Sequence, residues 1–401
     1  MNKRIRVTIS LMLCAFLATG CAKAGAGAAQ PPAEQQTAAQ QPAEQQTAAQ
    51  PPAEQQTAVQ PPAEQRTAEQ ATTAQPATDQ PAAEQKAPDQ PTYTYTEYPL
   101  ERNGIPLHLD CVKLDNSKPK ETDAPKDTSA PKETDAPKDN SEPKDNILLM
   151  HGSTYSSHEF DINYEDYSLV RRLAREGYAV WRLDVAGYGQ SGEVEDGLMP
   201  DTAYAAEDIR AAMELISNET GMDKIDLLGW SWGTMTTGLY AAEYPEHLDK
   251  LVLYAPILSG IGEAEITEPF NHNDWAGAAE DFQTKEDGSF DLEVTDPVLI
   301  EMFCSSCWHY DGDSSPNAWR KDALVSEDNV LIDLTKITVP TLVICGDKDP
   351  YLNMDLVKTS TDLLPDGSEL KVIPGGSHIV LYEKNCYREF QDSVAAFLTG
   401  E

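Results

Sequence analysis

From residue 146 onward, short apolar runs alternate with stretches of helical spacing, and this alternation constrains the fold more than any other feature. The apolar runs cover 147–150, 178–183, 224–229, 250–255, 340–345 and 369–373. The helical patterns between and after them cover 164–176, 201–219, 232–243, 352–364 and 383–398. Such apolar runs are typical of strands buried on both faces of a parallel sheet. The sequence therefore predicts an α/β fold with a doubly wound, mostly parallel sheet.

A repetitive segment precedes this pattern. A ten-residue unit rich in Pro, Ala, Gln and Glu recurs from residue 22 to about residue 92, and no aromatic residue occurs between Cys21 and Tyr93. Such a composition buries too little apolar surface to offset the entropy of ordering the chain. We therefore predict a disordered tether at 21–92, followed by one folded domain at 93–401.

A second repetitive segment interrupts the folded domain. Its six-residue unit, Pro-Lys-Glu-Thr-Asp-Ala, separates the strand-like runs 105–114 and 146–150. The cost of closing a loop grows only logarithmically with its length, so a long insertion between strands is tolerated. We interpret 115–146 as a disordered surface insertion.

The first residues have the features of a secretory signal. Lys3, Arg4 and Arg6 precede an apolar stretch at 7–18 that is too short to span a bilayer comfortably. The segment Leu-Ala-Thr-Gly-Cys that ends at Cys21 resembles the lipobox of bacterial lipoproteins. That resemblance implies removal of a signal peptide at 1–20, a diacylglyceryl anchor on Cys21 and an extracytoplasmic, membrane-attached location in a bacterial cell envelope. The alternative is a secreted protein with an incidental cysteine.

The charge of the chain excludes one class of partner. Its 67 Asp and Glu residues outnumber 30 Lys and Arg residues, which gives a formal net charge of −37. Nucleic-acid binding needs clustered basic residues, so we expect no nucleic-acid partner. The sequence contains no phosphate-binding or dinucleotide motif in the required context and no metal-ligand cluster. We therefore predict no cofactor and no metal, and the oligomeric state is left open.

The motif with the most chemical content is Gly229-Trp230-Ser231-Trp232-Gly233. It follows a predicted strand and opens a predicted helix, which is the setting of a nucleophile elbow. A sharp turn of this kind exposes the serine hydroxyl at a helix N-terminus, where negative charge is favoured. We predict that Ser231 is a nucleophile.

A serine nucleophile needs a base and an acid that orients the base. His378 follows the predicted strand 369–373 and is the only histidine beyond residue 309. Asp347 and Asp349 follow the predicted strand 340–345, and either is placed to orient that histidine. The chain order serine, aspartate, histidine matches an arrangement that recurs in one large fold family.

These motifs together resemble the alpha/beta-hydrolase-fold serine hydrolases. The resemblance covers about 93–401 and implies catalytic residues Ser231, Asp349 and His378, because the family pattern Gly-x-x-Asp favours Asp349 over Asp347. The His-Gly pair at 151–152 matches the oxyanion loop of the family. It implies that the backbone N–H groups of Ser153 and Trp232 form the oxyanion hole, with Thr154 as an alternative to Ser153.

The segment at 259–333 falls where this fold commonly inserts a cap. Aromatic residues are frequent in it, and we expect them to form either a small cap core or the roof of an apolar pocket. Cys304 and Cys307 have the spacing of a redox or metal pair. Outside the cytoplasm a local disulfide between them is favoured, with two free thiols as the alternative.

The resemblance implies hydrolysis through an acyl-enzyme on Ser231. We predict a carboxylic-ester substrate, uncharged or weakly polar, because an acidic surface disfavours anions at long range. The alternative is an aminopeptidase of the proline-iminopeptidase-like type, whose elbow also carries Trp after Ser. Residues 151–154 lack the Gly-Gly-Pro continuation expected there. Acidic cap residues would nevertheless suit a substrate amine, namely Glu263, Glu265 and Glu268.

Overall fold

An eight-stranded sheet forms the centre of the computed structural model, which describes residues 91–115 and 143–400. The strands of this part of the chain are β1 Thr92–Arg102, β2 Ile105–Asp115, β3 Asp145–Met150, β4 Tyr178–Leu183, β5 Ile225–Trp230, β6 Leu248–Tyr254, β7 Phe270–His272, β8 Ser314–Pro316, β9 Thr341–Gly346 and β10 Glu369–Ile373. The sheet order is β1-β2-β4-β3-β5-β6-β9-β10, and β7 pairs separately with β8. β1, β2 and β4 pair antiparallel, whereas the pairs from β4 to β10 are parallel.

Helices cover both faces of the sheet. They are α1 Leu169–Arg175, α2 Thr202–Thr220, α3 Trp232–Glu243, α4 Trp275–Ala278, α5 Pro297–Asp311, α6 Ala318–Ala323, α7 Met354–Thr361 and α8 Tyr387–Thr399, with 3-10 turns at Ser157–Phe160, Pro245–His247, Leu334–Lys336 and Val380–Tyr382. α1 and α8 contribute to the apolar core on one face, and α2 and α3 contribute to the core on the other. The predicted doubly wound, mostly parallel sheet is confirmed.

Local capping explains where the observed helices differ from the predicted ones. α3 has the predicted bounds, whereas α1 begins at Leu169 and not at residue 164. The side chain of Ser168 accepts a hydrogen bond from the N–H of Arg171 and so caps α1. In the same way, the side chain of Asn353 accepts from Leu356 and starts α7 two residues later than predicted.

The two repetitive segments lie largely outside the described residues. The predicted signal peptide, Cys21 and the tether up to residue 90 lie outside them, as does 116–142 of the predicted insertion. β1 begins at Thr92 and β2 ends at Asp115, while β3 begins at Asp145. The strands therefore extend slightly into both predicted segments. Among the described residues, no helix combines the length and apolar character needed to cross a membrane.

The segment between β6 and β9, which includes the predicted cap at 259–333, contains β7, β8 and α4 to α6. Phe282 and Phe303 are buried there, and their rings meet edge to face with centroids 5.5 Å apart. Trp275 and Trp308 are instead 49% and 57% exposed. The cap aromatics thus divide between a core and the outer surface.

Candidate active site

Ser231 occupies a strained turn between β5 and α3. Its backbone angles are φ 56° and ψ −120°, a conformation that costs about 1–3 kcal/mol in a residue with a side chain. Two contacts hold it there: its N–H donates to the carbonyl of Tyr254 at 3.0 Å, and its own carbonyl accepts from the N–H of Thr234 at 2.8 Å. The surrounding structure therefore fixes the serine at the end of β5.

The two glycines of the elbow motif are required by close backbone contacts. A Cβ atom on Gly229 would lie 2.2 Å from the carbonyl oxygen of Gly233. A Cβ atom on Gly233 would lie 2.5 Å from the carbonyl oxygen of Met150, at the end of β3. Glycine at these positions lets α3 begin directly against the neighbouring strand.

His378 and Asp349 meet at the same end of the sheet, on the loops that follow β10 and β9. Nδ1 of His378 lies 2.8 Å from Oδ2 of Asp349, and both side chains are buried. The other carboxylate oxygen of Asp349 accepts from the N–H of Tyr351 at 3.0 Å. Asp347 is exposed and accepts from the N–H of Gly375 at 2.7 Å. The geometry therefore pairs the histidine with Asp349, whereas Asp347 supports a turn.

The elbow and the histidine loop are joined by hydrogen bonds. The carbonyl of His378 accepts from Nε1 of Trp230 at 3.2 Å and from the hydroxyl of Tyr254 at 2.9 Å. Trp230 precedes Ser231, and its ring stacks on Tyr254 with centroids 5.2 Å apart. Trp230 therefore positions the loop that carries the histidine.

The charges around His378 favour its protonated form. Burial by itself lowers the pKa of this imidazole, but the carboxylate of Asp349, with smaller effects from Asp281 and Glu280, outweighs burial. The net result is a pKa above the usual value of about 6.5. The imidazole is thus suited to accept a proton and to hold it beside Asp349.

The predicted oxyanion loop borders the serine. A Cβ atom on Gly152 would lie 3.1 Å from Cβ of Ser231. The N–H of Gly152 donates to Oε1 of Glu159 at 2.6 Å, and Nε2 of His151 accepts from the N–H of Val185 at 3.1 Å. Both contacts hold the shape of the loop, so His151 has a structural part in it.

Backbone N–H groups near the serine remain open to a ligand. The N–H groups of Ser153 and Thr154 both lack a hydrogen-bond acceptor within the described part of the chain, so both stay candidates. Trp232 is the first residue of α3, where an N–H has no partner inside the helix. The family resemblance implies Ser153 and Trp232 for the oxyanion hole, with Thr154 as the alternative to Ser153.

Three charged cap residues near the site were not among the sequence-based candidates. Glu280 and Asp281 act electrostatically on His378, and Asp281 also accepts from the hydroxyl of Tyr351 at 3.1 Å. Tyr351 lies edge-on to the His378 ring, with centroids 4.7 Å apart. The third residue is Arg320, whose Nη2 donates to Oγ1 of Thr154 at 3.0 Å.

The acidic residues that the sequence suggested for an amine are not among the groups that act electrostatically on His378. Glu263, Glu265 and Glu268 are exposed. The sequence shows that the cap is rich in acidic residues, but it does not show that Glu280 and Asp281 act on His378. That interaction depends on how the cap folds.

The predicted disulfide is wrong for this structure. Cys304 and Cys307 are free thiols, buried on the inner side of α5. Burial raises the pKa of Cys304 to about 12 and that of Cys307 well above its usual value. Both residues therefore behave as small apolar side chains of the cap core, with little of the reactive thiolate. No group of His, Cys, Asp or Glu side chains suited to a metal ion occurs among the described residues.

The sequence of the chain matches one known protein family. Residues 141–385, more than half of the chain, match the sequence profile of the serine aminopeptidase family S33. The chain belongs to the S33 family. Its sheet topology and its elbow agree with the alpha/beta-hydrolase fold of that family.

Relatives of the S33 protein carry different names. A proline iminopeptidase of Lactobacillus helveticus is 26% identical over 265 residues, which cover 59% of this chain and 85% of that protein. A putative non-heme chloroperoxidase of Synechocystis is 26% identical over 258 residues, covering 58% and 84%.

Solved structures resemble the fold. A hydrolase from Pseudomonas aeruginosa is 19% identical with a TM-score of 0.51, covering 76% of this chain and 98% of that one. An alpha/beta hydrolase fold protein from Chitinophaga pinensis is 15% identical with a TM-score of 0.50, covering 77% and 98%.

Proposed function

We propose that the protein hydrolyses acyl compounds through a covalent acyl-enzyme on Ser231, with His378 as the base and Asp349 as the residue that orients it. One observation carries this proposal: Nδ1 of His378 lies 2.8 Å from Oδ2 of Asp349, on a loop bonded to the elbow that presents Ser231. The bond to Asp349 favours the tautomer in which Nε2 is free to accept a proton.

The reaction would proceed in two halves. His378 removes the hydroxyl proton of Ser231 as its oxygen attacks the substrate carbonyl, and the protonated imidazole then gives that proton to the leaving group. Water attacks the acyl-enzyme with the same base. The N–H groups of Ser153 and Trp232 would hold the oxyanion, and removing one such donor typically costs about 2.7–4 kcal/mol of barrier stabilisation.

We propose carboxylic esters as the substrates. The support is a serine elbow with neighbouring N–H groups that have no acceptor in the described residues, together with a strongly acidic chain. Its net charge of −37 disfavours substrates of large negative charge at long range. The test is a panel of 4-nitrophenyl esters of graded acyl length. Turnover that disappears in Ser231→Ala supports the proposal, and an absence of ester turnover by the native chain contradicts it.

A second candidate function is removal of an N-terminal aminoacyl group. It is supported by membership of S33, by relatives named proline iminopeptidase and by Glu280 and Asp281 beside His378. A protonated α-amine would suit these carboxylates. Aminoacyl 4-nitroanilides, run beside the esters, distinguish the two: turnover of the anilides with no turnover of the esters favours the aminopeptidase.

We also propose that Cys21 anchors the protein to the cell envelope through lipid. The support is sequence alone: a basic start, an apolar stretch and small residues directly before this cysteine. Incorporation of labelled palmitate by the full chain, lost in Cys21→Ser, is the expected result. Equal labelling of both chains would contradict the proposal.

A further inference from the structure

Arg320 lies beside the oxyanion loop with no carboxylate partner. Its Nη2 donates to Oγ1 of Thr154 at 3.0 Å, and its Nη1 donates to Oδ1 of Asn317 at 2.9 Å. In residues 91–115 and 143–400 it forms no ion pair, although acidic residues greatly outnumber basic ones in the chain. Its side chain is partly buried, and burial lowers the pKa of the guanidinium. Glu280 acts on this cation from a longer distance, and no carboxylate in the described residues forms a hydrogen-bonded ion pair with it. A partly buried cation without such a direct partner is costly.

Arg320 contacts the oxyanion loop and acts electrostatically on groups that surround the proposed base. Thr154, which it contacts, follows Ser153 in the loop that borders Ser231. On its other side, Arg320 interacts electrostatically with Glu280 and Tyr351. Glu280 and Tyr351 both act on His378, the first through its charge and the second through ring contact. The guanidinium is therefore bonded to the oxyanion loop and coupled to two residues that also act on the histidine.

The donors of Arg320 are only partly used. A guanidinium has five N–H donors in a planar fork, and the two bonds to Thr154 and Asn317 leave three without an acceptor in the described part of the chain. Its face packs over the ring of Trp319, with 4.7 Å from Cζ to the centroid, which fixes its plane. A planar, oriented guanidinium of this kind matches the two oxygens of a carboxylate.

We propose that Arg320 binds a carboxylate carried by the substrate. The inference rests on the proposed hydrolysis at Ser231 and narrows its substrate class to esters or amides with a free carboxylate on the acyl or leaving group. The acidic surface disfavours anions only at long range and is screened by salt, whereas a hydrogen-bonded pair acts at contact. Arg320 is thus a specificity-determining residue.

Two pairs of substrates test this on the full chain. The first pair is 4-acetoxybenzoate and 4-acetoxybenzamide, which differ in the charge of the leaving group. The second is mono-4-nitrophenyl adipate and its methyl ester, which differ in the charge of the acyl group. We expect the ratio of kcat/KM for the charged over the neutral member to fall about tenfold in Arg320→Gln in at least one pair. Arg388→Gln, which changes an exposed arginine on α8, is the matched control and should leave both ratios unchanged.

Binding without turnover separates this inference from the proposed catalysis. In full-length Ser231→Ala, benzoate should change the tryptophan fluorescence by acting next to Trp319, whereas benzamide should not. Adding Arg320→Gln or Trp319→Phe should abolish that change. Equal responses to benzoate and benzamide, or charge ratios that survive Arg320→Gln in both substrate pairs, overturn the inference. Turnover that survives Ser231→Ala overturns the proposed catalysis instead.

Discussion

Oγ of Ser306 lies 2.8 Å from Nδ1 of His158, whose Nε2 lies 2.8 Å from Oδ2 of Asp311. The protein therefore contains a second chain of serine, histidine and aspartate, away from the elbow. Ser306 sits in the middle of α5, where backbone N–H groups are used by the helix itself. The N–H groups of α5 on either side of Ser306 are therefore not available to stabilise a tetrahedral oxyanion there. Ser231 directly precedes α3, where the first N–H groups have no partner inside the helix and can stabilise an oxyanion.

The two serines give a direct test of the nucleophile. We expect Ser231→Ala to abolish labelling by a fluorophosphonate probe and to lower kcat by more than about 10⁴-fold. Ser306→Ala keeps Ser231 and its partners, so labelling and turnover should persist. Loss of labelling in Ser306→Ala alone would move the nucleophile to α5.

The acid is tested by a pair of isosteric changes two residues apart. Asp349→Asn removes the charge that holds His378 in the useful tautomer, and we expect kcat to fall by about 10⁴-fold. Asp347→Asn leaves an oxygen to accept from Gly375, so kcat should stay within about tenfold. Steady-state kinetics of both variants on one ester shows which of the two aspartates orients His378. Equal losses in the two variants would contradict the assignment of Asp349.

The charges around His378 predict the acidic limb of the pH profile. The base must be neutral to accept a proton, and its pKa is raised by Asp349 and by Asp281 and Glu280. Activity should therefore rise with pH through a midpoint above about 6.5. Asp281→Asn removes a negative charge that favours the imidazolium. We expect the midpoint of kcat/KM to move to lower pH in that variant.

The matched control for this experiment is Glu286→Gln, which removes a charge from an exposed turn of the cap. Its pH profile should coincide with that of the native chain. A midpoint that stays in place in Asp281→Asn, or moves to higher pH, would show that Asp281 does not act on the base.

Features that depend on neighbours along the chain were predictable from sequence. The bounds of α3 were predicted because the elbow turn starts it and Pro245 prevents its continuation. The two strand ends predicted that His378 would meet Asp347 or Asp349, and the family resemblance favoured Asp349, which the structure places 2.8 Å from the imidazole. β1 was not among the predicted strands, since it is an edge strand whose residues are mostly exposed or half-exposed and which directly follows the repeats.

Features that depend on contacts between distant residues were not predictable. Glu280 and His378 are about a hundred positions apart, and only the folded cap brings their charges together. The same holds for Arg320 and Thr154. In the case of Cys304 and Cys307 a local pattern led to a wrong prediction. Their spacing is typical of a disulfide, but both residues lie on a buried face of α5 as free thiols.

The state of these two cysteines is itself testable. Burial raises the pKa of Cys304 to about 12, so the native protein should not react with N-ethylmaleimide at this position. After unfolding without reductant, the peptide that contains Cys304 and Cys307 should carry two alkyl groups by mass spectrometry. The variant Cys304→Ala should carry one. A peptide that gains alkyl groups only after reduction would show a disulfide in the native protein.

The contact between Gly233 and the end of β3 predicts that even one methyl group there is harmful. A Cβ atom on Gly233 would lie 2.5 Å and 2.6 Å from the carbonyl oxygens of Met150 and His151. Neither oxygen is at the end of a flexible side chain, so α3 or the oxyanion loop has to move. We expect Gly233→Ala to lower the free energy of unfolding by about 1–3 kcal/mol in urea titration, and to lower kcat as well.

Gly277→Ala is the control for this change, because the nearest atom to its Cβ would be the carboxylate Oδ1 of Asp274 at 3.4 Å, an ordinary contact. Its unfolding midpoint should match that of the native chain. If Gly233→Ala were equally stable and equally active, the close approach of α3 to β3 would not be what makes glycine necessary. The loop before Ser153 would then owe its position to Glu159 and His151 alone.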